Sequence, residues 1–180
     1  MRWILFVLCA AAPIFANSPR ADAPKSGTSS YGAETLSSLE MLGTVKLQGT
    51  TISHLLKITG NLTASNAHLH QVEAVGNVSL NNTSVAQELE VIGTIKAVDS
   101  TFEKPISFLG QKGVFSKCRL TGITVQKDHA FRGTQILELK NGTQVSGPIV
   151  FEGEEGKVFL YSGSKVTGTV TGGVIVRKGF

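Results

Sequence analysis

The chain has 180 residues, a formal net charge of +4, 17% charged and 41% hydrophobic residues, and only two cysteines. That length holds one domain of ordinary size. So mild a positive charge excludes a dedicated nucleic-acid binder, and two cysteines exclude a disulfide-stapled scaffold.

In chain order, "MRWILFVLCAAAPIFA" (1–16) comes first. Arg2 gives a positive start, an apolar stretch follows, and Ile14-Phe15-Ala16 fits a cleavage site, which together read as a secretory signal peptide. The stretch is shorter than the roughly 20 residues of a membrane-spanning helix. The expected location is therefore exported, periplasmic or at the cell surface. Cleavage would remove Cys9 and leave Cys118 as the sole thiol. Residues 17–42 read as a flexible tail, with "AETLSSLEML" (33–42) as a short helix capping the first coil.

From 43 to 180 the chain repeats. Glycines stand at 43, 60, 76, 93 and 110, at spacings of 17, 16, 17 and 17. Two residues after each of the first four lie Val45, Leu62, Val78 and Ile95; four after lie Leu47, Ala64, Leu80 and Ala97. Nine after lie Ile52, Leu69, Val85 and Phe102. Each unit ends with a pair two apart, such as Leu56 with Ile58 or Val72 with Ala74. Apolar pairs at that spacing put both side chains on one face of a strand. Three short strands and three polar corners per unit describe a triangular parallel β-solenoid, in which no coil buries its apolar face without neighbours. About eight coils, roughly 38 Å in all, are expected.

In the later half Val114, Ser116, Cys118 and Leu120 read as alternating on one face, and "KDHAFRG" (127–133) as a longer corner or inserted loop. "NGTQVSGPIV" (141–150) then returns as "SGSKVTGTVT" (162–171), and "GGVIVRKGF" closes the chain. Val174 and Val176 are expected to complete the last coil, with Phe180 at an open end. A solenoid end without a cap leaves strand edges unpaired, so these three residues are the candidate self-assembly contact.

The chemistry-bearing residues give little more. His68 and His70 share a strand face, but their counterparts in the flanking coils (Thr51, Ser53, Ser84 and Ala86) provide no third ligand, so no metal is expected. Glu152, Glu154 and Glu155 lack the spaced oxygen ligands of a calcium loop. Glu73, Glu90 and Asp99 occupy different offsets, so no carboxylate stack forms, and neither a catalytic residue nor a cofactor is expected. Asn61, Asn77, Asn81, Asn82 and Asn141 begin Asn-X-Ser/Thr triplets, which solenoid corners favour anyway. Cys118 reads as a small core residue. Lys117, Arg119, Lys165, Arg177 and Lys178 would suit an anionic glycan or the cell envelope if they cluster.

The phrases "KITGNLTA", "EVIGTIKA" and "SKVTGTVTGG" resemble those of the bactofilins, bacterial polymer-forming proteins. The resemblance implies a right-handed β-helix that joins end to end into nucleotide-free filaments on or near membranes. Bactofilins are typically cytoplasmic, and this chain departs from them in its export signal. The expectation is an exported, non-enzymatic structural or self-assembling solenoid. The alternative is an envelope- or glycan-binding module of adhesin type, which an outward row of aromatic or basic residues would mark.

Overall fold

A computed structural model describes residues 25–127, 129 and 133–179. The expected signal peptide and Phe180 lie outside the described residues. Among the described residues the chain is an all-β parallel solenoid without helices, about 17 residues per turn, and the 19 strands described form one continuous wound sheet.

Three stacks of strands run along the rod. The first stack begins at Ser29–Tyr31 and continues through Val45–Leu47, Leu62–Ala64, Val78–Leu80 and Ile95–Ala97. It goes on through Gly113–Phe115, Leu137–Leu139 and Val158–Leu160 to Ile175–Arg177. The second contributes one inward residue per coil: Leu36, Ile52, Leu69, Val85, Phe102, Leu120, Val145 and Val166. The third contributes pairs, from Leu39 with Met41 to Ile149 with Phe151, and ends at Val170. Inward side chains from all three merge into one buried cluster running from Leu39 to Leu160.

Two columns of special backbone turn the chain. Gly43, Gly60, Gly76 and Gly93 carry φ of 127 to 136° between the third and first stacks. A Cβ on Gly60 would fall on the carbonyl oxygen of Gly43, so only glycine lets the coils stack there. Between the first and second stacks, Gly49, Asn66, Asn82, Asp99, Lys117 and Asn141 all adopt left-handed φ. Side-chain amides reinforce that corner: Asn82 Nδ2 donates to Asn66 Oδ1 at 2.7 Å.

Three expectations change. The stretch 33–42 is not a helix, because Leu36, Leu39 and Met41 keep the strand spacing and pair with Ile52, Leu56 and Ile58. With Lys25–Tyr31 also paired as a strand, the solenoid already includes Lys25 rather than beginning at Gly43, and has about 9 turns. The alternation at 113–120 is out of phase: Gly113, Phe115, Cys118 and Leu120 point inward, while Val114 and Ser116 point outward. The cause is one extra residue, since Gly113 pairs with Ile95 although it lies three residues past its glycine rather than two.

The next coil is longer between Val125 and Gln135, where the third stack returns to the first. Of 127–133, only Lys127, His129 and Gly133 fall among the described residues. Gln135 is buried at this corner and donates to the carbonyls of Gly110 (3.1 Å) and Gln126 (2.9 Å).

Candidate functional site

Among the described residues, five large apolar side chains are exposed: Leu42, Val75, Ile92, Val174 and Ile175. The last two belong to the final rung, Gly173–Arg177, which pairs with Gly156–Leu160. The register corrects the expected phase. Ile175, not Val174 or Val176, continues the inward column, directly over buried Val158, and it is 43% exposed. Val174 is 56% exposed and Val176 half-buried, and they pair with outward Lys157 and Phe159. Val166 and Val170, inward in the same coil, are also only partly buried.

A column of small residues tells the same story. Thr50, Ala67, Thr83, Ser100, Cys118 and Thr143 succeed one another, all buried, just after the left-handed corner. The Ser100 hydroxyl donates to the Val98 carbonyl (2.8 Å) and accepts from the Thr83 amide (3.2 Å). Thr143 likewise donates to Lys140 (2.8 Å) and accepts from the Cys118 amide (3.2 Å). Ser164, in the last coil, has a buried hydroxyl with no partner. At the other end, the first rung offers Ser29 and Tyr31 over Val45 and Leu47, a more polar surface.

An open groove of about 490 Å³ lies over the first corner, lined by Asn82, Asp99, Thr101, Lys117, Arg119 and Gln144 among others. It arises because the corner grows by one residue: Lys117 alone precedes Cys118, whereas Asn141 and Gly142 both precede Thr143 and both take left-handed φ. Lys117 lies 4.0 Å from Asp99, and Asn141 Nδ2 donates to Ser116 Oγ at 2.9 Å. Of the five basic residues singled out in the sequence, the groove gathers Lys117 and Arg119 only. Among the described residues, outward aromatics are confined to Phe159 and Tyr161, and lysines already cover their rings: Lys178 Nζ is 4.9 Å and Lys140 Nζ 5.0 Å from the ring centres. A stacked sugar would have to displace them.

Two other constellations differ from the sequence reading. Glu73 and Glu90 do share a position, being paired in register, and Lys57 precedes them in the same outward column. Lys57 Nζ is 3.8 Å from Glu73 Oε2, with both side chains well exposed. His70 meets His54: their ring centres are 6.5 Å apart, edge to face. The irregular register between Ile52 and Leu55 brings His54 alongside. His68 Nδ1 is 2.7 Å from Ser84 Oγ. No group of three or more His, Cys, Asp or Glu able to hold a metal occurs among the described residues. Glu152 Oε2 accepts from the Lys127 amide at 3.3 Å.

Comparison with protein families, with curated proteins and with solved structures finds no match for this chain.

Proposed function

We propose that this is an exported, non-enzymatic structural solenoid, bactofilin-like in design, whose copies join through the C-terminal coil. One observation carries the reading: the inward column that is buried through Leu160 continues to an exposed Ile175. Completing its burial against another copy would contribute roughly 1 kcal/mol, a fraction of what burial from full exposure yields because Ile175 is 43% exposed. The unpaired edge of the last rung adds backbone donors and acceptors that a further strand would satisfy. The polar first rung makes a contact between two C-terminal ends at least as suitable as a head-to-tail one. Sedimentation velocity and negative-stain imaging test this. The expected result is concentration-dependent assembly that Ile175→Glu abolishes; a monomer at every concentration would refute it.

The groove beside Lys117 and Arg119 favours a second reading, contact with an anionic glycan of the cell envelope. Arginine pairs bidentately with carboxylate or sulfate groups, and the side-chain amides match sugar hydroxyls. Calorimetric titration with polygalacturonate, and with neutral dextran as the control, should show binding that Arg119→Ala weakens. Equal heats from both polymers would remove this reading.

A further inference from the structure

The three exposed aliphatic residues outside the last coil are not scattered. The register places Leu42, Thr59, Val75, Ile92 and Leu109 in one outward column on successive rungs of the third stack. Leu42, Val75 and Ile92 are 50%, 45% and 40% exposed, and Leu109 is half-buried. An outward column on a soluble solenoid is ordinarily polar, and an aligned apolar stripe marks a contact surface. We infer that this stripe is a lateral interface with a second copy of the chain, the two rods lying side by side and running the same way.

The rows beside the stripe decide the occupant and its direction. On one side stand Glu40, Lys57, Glu73 and Glu90. On the other, past the glycine corner, stand Thr44, Asn61, Asn77 and Thr94. Asn77 Nδ2 donates to Asn61 Oδ1 at 2.9 Å, and Thr94 Oγ1 to Asn77 Oδ1 at 2.6 Å. Each amide therefore keeps a second N–H for an outside acceptor. A two-fold axis along the stripe sets each rung against its own copy. It brings the carboxylates of one chain over the amide ladder of the other. A two-fold across the stripe, centred between Thr59 and Val75, would instead set Glu40 against Glu90 and Lys57 against Glu73. Its like and opposite charges offset one another and no carboxylate reaches an amide ladder, so the parallel arrangement is the better matched. A partner with an acidic surface is disfavoured by the same glutamates.

Five side chains make a narrow strip, and a strip that buries less than the roughly 1,200 Å² of a stable interface gives a weak isolated pair. The inference does not rest on end-to-end joining, though rods joined at their ends would multiply the contact.

Cysteine cross-linking in the full chain is the test, with Cys9→Ser to remove one thiol and Cys118 left buried. Thr59→Cys, at the middle of the stripe, should oxidise to a covalent dimer. Thr63→Cys, exposed on the first stack, is the control. Adding Ile92→Lys should cut the Thr59→Cys dimer about tenfold, since two copies each lose a partly buried side chain. Adding Ile175→Glu should leave it unchanged, which separates this contact from the one at the C-terminal end. No more dimer from Thr59→Cys than from Thr63→Cys would overturn the proposal.

Discussion

At the scale of single residues, the corner after the first stack explains Cys118. It occupies a place that other coils fill with Thr, Ala or Ser, and its Sγ donates to the Ser116 carbonyl at 3.3 Å, as Ser100 does to Val98. Burial pushes the thiol pKa up, against backbone hydrogen bonds that pull it down. The native protein should therefore resist alkylation at pH 8 and react only when unfolded, and Cys118→Ser should cost about 1 kcal/mol or less. Rapid native-state labelling would contradict this. Sequence gave the burial correctly but for the wrong neighbours, because one extra residue between Gly110 and Gly113 reversed the alternation before Cys118. Glu138 offers a pH test. Its desolvation favours the neutral form, but hydrogen bonds and charge from Lys112 and Lys140, both at 2.7 Å, outweigh this and hold its pKa below the usual carboxylate value. A lowered folded pKa stabilises the protein above the unfolded value of about 4.3, and that contribution fades as pH falls through the folded one. Lys140 shifts the other way, raised mainly by its hydrogen bond to Glu138, so its share fades only as pH rises through its folded pKa. In thermal melts, Glu138→Gln should lower stability at pH 7 and bring the difference from wild type toward zero near pH 2.

At the scale of the coil, the glycine column is the element most firmly dictated by sequence. Gly76 has φ of 127°, and a Cβ there would meet the Gly60 carbonyl oxygen. Gly76→Ala combines backbone strain with a clash and should destabilise by roughly 2–4 kcal/mol. A denaturant midpoint unchanged from wild type would show that the coils can separate at this corner. The same regularity made the inward residues Val45 to Phe108 legible, since their offsets repeat. Legibility failed where coil length changed. Gly60 and Gly76 are 16 apart, so Glu73 and Glu90 differ in offset from the preceding glycine yet both stand three before the following one. Counting from one glycine only hid their shared column and the apolar stripe beside it. The register irregularity between Ile52 and Leu55 likewise hid the approach of His54 to His70. The early strands at 25–42 went unread although Gly27 stands 16 residues before Gly43 and pairs with it, because the inward pair that follows is Ser29 with Tyr31 where later coils place aliphatics such as Val45 and Leu47.

At the scale of the whole rod, the exposed large apolar side chains among the described residues fall in two places, the stripe and the last coil. Regular winding at least partly buries the other large apolar side chains described, so these are the positions that contact with another copy would cover. The two surfaces point in different directions, one along the rod and one beside it. On the two proposed contacts, ends would set length and the stripe would set thickness. Ile92→Lys should then leave rods of wild-type length that no longer pair, whereas Ile175→Glu should give short particles; particle dimensions in negative stain distinguish them. Sequence pointed to the C-terminal end but selected Val174 and Val176, because "GVIVR" alternates in either phase and only pairing with Gly156–Leu160 assigns Ile175 to the core side. The most direct test of an open, self-associating end is amide hydrogen exchange of Gly173–Arg177 as a function of protein concentration. Protection of these amides should rise with concentration, while that of Leu62–Ala64, on the first stack away from the stripe, stays constant. Exchange at 173–177 that is equally fast at every concentration would contradict the account.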